Sequence, residues 1–349
     1  MFVLVTGGAG FIGSHVVDAL LAAGHEVRIV DYLHPAAHDR EPSYIADVEW
    51  LRDDLRAGAD AAVAGVDAVL HQAAMVGLGV DLSDIAAYAA HNDLGTAELL
   101  RSLHARGFDG RIVLASSMVV YGEGRYACPT HGRQPAPQRA PADLDAGRFE
   151  PGCPVCGSAM EPQSVPEDAP ADPRNVYAAT KLHQEHLVNA YARETGAAAV
   201  ALRYHNVYGP RMPRDTPYAG VASIFRSALE AGRGPRVFED GRQMRDFVAV
   251  ADVATANRLA LEASPAIDGA FNIASGTPRS VGDLAAELAR ATGGQAPEVT
   301  GEFRLGDVRH VFASTKRARQ LLGFAAAANF SEAVAEFAIA ALRDPATST

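Results

Sequence analysis

The chain has 349 residues, 48% of them hydrophobic, which is enough apolar material for one large domain or two of moderate size. Its formal net charge of -11 sets an acidic surface against phosphate polymers and anionic lipid, so nucleic-acid and membrane-surface binding are disfavoured. No apolar run reaches the ~18 residues of a membrane span, and the opening MFVLVTGGAG carries no basic leader, so a cytoplasmic protein without a signal peptide is expected.

Residues 2–6 (FVLVT) form an apolar run that reads as a strand, followed by glycines and an amphipathic helix over 11–23 that Gly24 closes. Residues 26–30 read as a second strand, and a short third strand is expected before Asp54. Further buried strands are expected at 68–71, 111–115, 199–203 and 270–273, with helices between most of them, among them 93–106 and 177–194. This alternation predicts an α/β fold built on a doubly wound parallel Rossmann sheet. From about Val207 the pattern changes to short mixed helices and strands, which predicts a smaller mixed α/β C-terminal lobe. No internal repeat is present.

The segment 123–173 breaks the alternation. It holds ten of the twenty prolines and all three cysteines, with no sustained helical or strand period. Long irregular stretches inside a domain are functional, disordered or stapled. Cys128-Pro-Thr-His131 and Cys153-Pro-Val-Cys156 supply a Cys-x2-His and a Cys-x2-Cys pair separated by twenty-one residues. Such spacing lets both side chains of a pair reach one ion, and two pairs complete a tetrahedron, so a structural zinc site is expected. Competing readings are a Cys153–Cys156 disulfide, disfavoured in a reducing cytoplasm, a redox pair, and free thiols.

Gly7-Gly8-Ala9-Gly10-Phe11-Ile12-Gly13 gives Gly-x-x-Gly-x-x-Gly between a strand and a helix, followed eighteen residues later by Asp31 at the end of the second strand. The glycines permit a tight turn and close approach to a pyrophosphate, whose charge meets the helix N-terminus. A carboxylate at Asp31 accepts from ribose hydroxyls and repels a 2′-phosphate, which predicts NAD rather than NADP. Asp54 and Leu55, and Gln72, Ala73 and Ala74, follow the third and fourth strands and complete the expected cofactor wall. Taken alone, Asp54 reads more readily as a loop aspartate capping the next helix. The expected organisation is therefore a NAD-binding Rossmann domain over 1–203, carrying the insertion, and a substrate lobe over 204–349 with segments near 245–275 returning to the first domain.

Tyr177 and Lys181 open a helix at i and i+4, on one face. An ammonium beside a phenol favours the phenolate, and a free tyrosine near pH 7 needs such help to act as a base. Only Lys181 and Lys316 are lysines in the whole chain. Ser117 ends a strand at the carboxyl edge of the sheet, where a hydroxyl can meet a substrate oxygen.

Taken together, TGGAGFIG, Asp31, HQAA, Asn92 in HNDLGT, SSMVVYG, YAATK, RYHNVYGPR and RDFV resemble the extended short-chain dehydrogenase/reductases, the NAD-dependent nucleotide-sugar epimerase/dehydratase group that includes UDP-galactose 4-epimerase. The resemblance implies that Ser117, Tyr177 and Lys181 form the catalytic triad and that Asn92 supports the active site and cofactor. It also implies that Asn206, Arg245 and Arg304 hold the diphosphate of a nucleotide-sugar substrate, and that the protein is a homodimer. The segments CPTHG, CPVCG and GEFRLGDVRH are similar to the branch containing dTDP-L-rhamnose 4-epimerase. Relatives that dehydrate or decarboxylate sugars carry acidic residues after the catalytic hydroxyl, whereas Met118 and Val119 stand there and cannot move a proton. The expected reaction is therefore epimerisation at C4 through a transient 4-keto sugar. Keto-sugar reduction, decarboxylation and non-catalytic NAD sensing remain as alternatives. His205, where the galactose enzyme has an aromatic residue, leaves the sugar open.

Overall fold

In the computed structural model, which describes residues 1–35, 38, 42, 48–77, 82–214, 220–264 and 267–343, seven parallel strands form one sheet. They are β1 (Phe2–Thr6), β2 (Glu26–Val30), β3 (Glu49–Leu51), β4 (Ala68–His71), β5 (Arg111–Ser117), β6 (Ala198–Tyr204) and β7 (Gly269–Ile273). Their order across the sheet is β7-β6-β5-β4-β1-β2-β3. The order reverses between β1 and β4, which opens a crevice at their carboxyl ends.

Both faces of the sheet are covered. Val3 and Val5 of β1 pack with Val16 and Leu20 of α1 (Phe11–Ala22) and with Val253 and Ala256 of the helix Val250–Glu262. Leu4, pointing the other way, packs with Leu99 and Leu103 of the helix Gly95–Ala105 and with Val188 of the helix Val176–Thr195. All these side chains are buried, each worth roughly 1.5–3 kcal/mol for a Val or Leu. Burial on two sides explains why the strands read as continuous apolar runs.

The C-terminal half contributes both to this sheet and to a separate core. β7 pairs with β6, while Tyr208, Phe225, Phe247, Leu284, Leu288 and Phe337 make a second cluster. The segment expected to lack strand character departs from that expectation. It contains a three-stranded antiparallel sheet of Arg125–Cys128, Gly132–Gln134 and Glu161–Gln163, and a one-turn helix Pro141–Asp145. Strands of three or four residues are too short to leave a period in the sequence. Asp172 N–H donates to Val120 O at 2.9 Å, so the excursion leaves and rejoins the domain at one place. Among the described residues no helix is long and apolar enough to cross a membrane.

Candidate active site

The glycine loop occupies the crevice at β1. Gly7 has φ +67°, and a Cβ there would lie 2.7 Å from the backbone of Ala73. A Cβ on Gly13 would lie 2.1 Å from Gly7 O. Gly10 is the N-cap of α1, so the backbone at residues 11–13 presents the first-turn N–H groups of the helix to the crevice. Phe11 packs into the C-terminal core and Ile12 into the sheet core, which fixes the helix between the two halves. Asp31, at the end of β2, accepts from Ala9 N–H at 3.1 Å and Leu33 N–H at 3.0 Å. Burial pushes its carboxyl above the ordinary value, and these two N–H donors pull it back.

The wall from β4 is less open than its sequence suggested. Gln72 donates to Asn257 Oδ1 at 2.9 Å and accepts from the Tyr204 hydroxyl at 3.1 Å, so its amide is already engaged. Ala73 N–H donates to Thr6 Oγ1 at 3.1 Å, which positions the backbone leading into Ala74. Asp54 caps the helix Leu55–Ala62, accepting from Arg56 N–H and Nε at 3.0 Å each, and Leu55 is buried beneath it. Hydrogen bonding by Arg56 holds the Asp54 carboxyl below its usual range.

Ser117, Tyr177 and Lys181 converge at the carboxyl end of β5. Ser117 is the last residue of that strand, and its hydroxyl accepts from Val119 N–H at 3.3 Å, starting a 3-10 turn over Met118–Tyr121. Asn175 caps the helix Val176–Thr195 by accepting from Ala178 N–H at 2.8 Å, which sets Tyr177 in the first turn and Lys181 one turn later. The Tyr177 hydroxyl lies near enough to Ser117 for the serine to influence its acidity. Burial pushes the phenol above its ordinary value and Ser117 draws it down. Lys181 Nζ donates to Ala115 O at 2.9 Å and stands 5.9 Å from the Tyr177 ring centroid. Burial lowers its ammonium to about 7, opposed by Glu185 and Asp93. Asn92 lies in a π-helical turn, Ala89–Leu94, at the start of the expected helix 93–106. Its amide accepts from Met75 N–H at 2.7 Å and donates to Met75 O at 3.0 Å and Thr180 Oγ1 at 2.9 Å, tying the β4 wall to the catalytic helix. π-bulges of this kind concentrate at functional sites.

On the far side of the crevice, Asn206–Tyr208 pairs in parallel with Phe247–Ala249, and Arg245 stands two residues before that partner strand, on the short strand Met244–Arg245 that pairs antiparallel with Arg279–Ser280. Asn206 Oδ1 is buried without a hydrogen-bond partner among the described residues. The Arg245 guanidinium donates to Met244 O, Arg309 O and Val308 O at 2.9, 2.9 and 2.6 Å. Arg304 is exposed, its Cζ 5.3 Å from the Phe238 ring centroid, and Asp307 lies within electrostatic reach of both arginines. His205 is buried beside Asn272 and Arg245, and burial lowers its imidazole to about 3, so the ring is neutral.

In the insertion, Cys128, His131, Cys153 and Cys156 offer ligand atoms all within 4.8 Å of one another. Cys128 Sγ is 3.7 Å from Cys156 Sγ and 3.6 Å from His131 Nδ1, which is 3.8 Å from Cys153 Sγ. Zinc bonds of about 2.3 Å to sulfur and about 2.0–2.1 Å to nitrogen give tetrahedral edges of roughly 3.8 and 3.6 Å. The three cysteines are free thiols, so the Cys153–Cys156 disulfide is absent.

Several buried groups of the site escaped the sequence reading. Glu185, one turn beyond Lys181, accepts from the Ser116 hydroxyl and from Arg203 Nε and Nη2 at 2.9 and 2.7 Å. Arg203 also donates to the Tyr121 hydroxyl at 2.9 Å. The detectable signal was Arg203 itself, a charge inside the apolar strand AAVALRY, which demands a buried partner. His71 bridges Thr6 and Thr96 at 2.7 and 2.8 Å, with its imidazole lowered to about 3, chiefly by burial.

Comparison with known proteins agrees with this architecture. The family model described as the NAD dependent epimerase/dehydratase family matches residues 3–141 and 153–274. A dTDP-L-rhamnose 4-epimerase of Burkholderia thailandensis is 33% identical over 336 residues, covering 92% of this chain and 90% of the relative. Among solved structures, the Thermus thermophilus UDP-glucose 4-epimerase in complex with NAD superposes with a TM-score of 0.77 at 30% identity, covering 97% of this chain and 98% of the other. The Thermotoga maritima UDP-glucose 4-epimerase with UDP-glucose gives 0.77 at 27% identity, with 97% of each chain covered.

Proposed function

Since the chain belongs to the NAD dependent epimerase/dehydratase family, we propose that it uses NAD to invert C4 of a nucleoside-diphosphate sugar through a transient 4-keto sugar. The observation that carries this reading is Ser117 at the end of β5 beside the buried Tyr177, whose phenol it draws down, with Lys181 one turn along the same helix. The glycine loop fits a dinucleotide, because a Cβ at Gly7 or Gly13 would close the cradle on backbone atoms. Asp31 receives the adenosine ribose. Bound NAD supplies the two-electron acceptor that takes the C4 hydrogen as hydride and returns it to the opposite face of the ring. Tyr177 removes the C4 hydroxyl proton and gives it back, and the Lys181 ammonium favours the phenolate in between. Ser117 holds the C4 oxygen, while Asn206, Arg245 and Arg304 keep the diphosphate in place as the keto sugar turns. Met118 and Val119 leave no acid or base at the positions that elimination or decarboxylation would use.

The test is the purified protein itself. Denaturation is expected to release NAD and not NADP, and a panel of UDP- and dTDP-linked sugars is expected to contain one that interconverts with its C4 epimer without net NADH formation. Protein that retains no dinucleotide and consumes reduced cofactor in each turnover would be a reductase instead.

The Cys128, His131, Cys153 and Cys156 cluster is part of the same reading as a structural zinc site. Its support is the donor set and the sulfur and nitrogen spacings, which match the edges of a zinc tetrahedron. The apolar cluster around these four residues is small, Tyr126, Cys128, Cys153 and Met160 with Ala136 against it, so metal binding would add folding energy where the packing is thin. About one zinc per chain is expected in untagged protein, and none in a Cys153→Ser, Cys156→Ser double variant. Metal-free protein never exposed to chelator would refute the site.

A further inference from the structure

Two hydrogen-bonded paths lead from the Cys/His cluster to the backbone that holds Arg245. On the first, Tyr126 stands two residues before Cys128 on the same short strand and is buried. Its hydroxyl donates to Glu123 Oε1 at 3.0 Å and accepts from His310 N–H at 3.0 Å. The same Glu123 oxygen accepts from Arg309 N–H at 2.7 Å. Gly124 presses on this backbone so closely that a Cβ would lie 2.4 Å from His310 O. On the second path, Glu150, three residues before Cys153, accepts from Arg309 Nε and Nη2 at 3.0 and 2.6 Å and pairs with His310 Nε2 at 2.8 Å. His310 Nδ1 accepts from Met244 N–H at 3.0 Å, next to Arg245 in the chain. The Arg309 guanidinium is fully buried and is held from the C-terminal lobe by Glu239 at 2.8 Å and Asp240 at 2.7 Å.

The segment 308–310 has no helix or strand of its own. Its position therefore depends on these contacts, and it supplies two of the three carbonyls that seat Arg245. We propose that the metal-bearing insertion is a brace that positions Arg245 for the nucleotide diphosphate, with Tyr126 as the positioning residue that transmits the hold. This inference rests on the zinc and diphosphate readings given above. A bidentate guanidinium–phosphate contact needs a fixed fork, and rotamer freedom in the fork weakens binding without altering the proton-transfer pair. The glycine loop and Asp31 make none of these contacts, so cofactor retention is a separate readout.

The experiment compares wild type, Tyr126→Phe and the Cys153→Ser, Cys156→Ser double variant. Zinc and NAD content are measured on each, UDP and dTDP are titrated calorimetrically as probes, and KM and kcat follow for whichever nucleotide sugar turns over. Tyr126→Phe is expected to keep zinc and NAD, to bind the preferred diphosphate about tenfold more weakly, and to raise KM by the same factor with kcat nearly unchanged. The double variant is expected to lose zinc and to show a larger loss of diphosphate binding, again with NAD retained. His131→Cys, which exchanges the imidazole for a fourth thiolate and keeps a tetrahedral donor set, is expected to bind the diphosphate as wild type does. Tyr126→Phe protein with wild-type diphosphate affinity would overturn the brace. A zinc-free wild type would remove the metal reading alone, and the Tyr126→Phe titration would then still decide whether the insertion positions Arg245.

Discussion

Replacing Tyr177 by phenylalanine is expected to lower kcat by about 10²–10⁴-fold while NAD and nucleotide-diphosphate affinities stay within error of wild type. The substitution removes one oxygen. The ring keeps its place beside Tyr88, with centroids 6.1 Å apart, and the helix cap at Asn175 is untouched. What disappears is the hydroxyl proposed above as the proton carrier. Burial holds the phenol above its ordinary value, so the lost group is one that needs neighbouring positive charge to act. Single-turnover kinetics with bound NAD isolate the chemical step. A Tyr177→Phe protein that epimerises at a near-normal rate would move the proton-transfer role elsewhere.

Gly13→Ala is expected to cost the protein its cofactor. The added methyl would sit 2.1 Å from Gly7 O and 3.0 Å from Gly8 Cα, and neither is a side chain that can rotate away. Overpacking of ~3 kcal/mol, expressed in displacement of the loop, weakens NAD by about a hundredfold. The control is Gly24→Ala, where nothing lies within 4 Å of the new Cβ and only the φ of +80° is strained. That variant loses stability and keeps NAD. Equilibrium titration of NAD into both proteins checks the contrast, and equal retention would mean that the loop relaxes without harm.

How much of this could be read from the chain depends on how local the determining forces are. The β1–glycine–α1–β2 unit was legible because apolar period, turn glycines and a helix-closing Gly24 act within a few residues of one another, and the strands and helix fall within a residue of expectation. The π-turn at Ala89–Leu94 was not, because it depends on Asn92 reaching across to Met75 and Thr180. The insertion hid its strands for a similar reason. Its strands are held by contacts such as that of Cys128 with Cys156, and by Arg309, more than 150 residues downstream of Glu150. The site showed the same division. Ser117, Tyr177 and Lys181 lie in compact motifs, whereas Glu185 was visible only through the demand that Arg203 makes inside an apolar strand.

The joining of Val120 and Asp172 by a backbone hydrogen bond has a consequence for descent. A segment that departs and returns at one point can be gained, shortened or exchanged without re-registering any strand of the parent sheet. The Rossmann framework and the Cys/His segment can then be selected separately. A lineage could change its nucleotide sugar by editing residues 123–171 and leave the proton-transfer pair as it was.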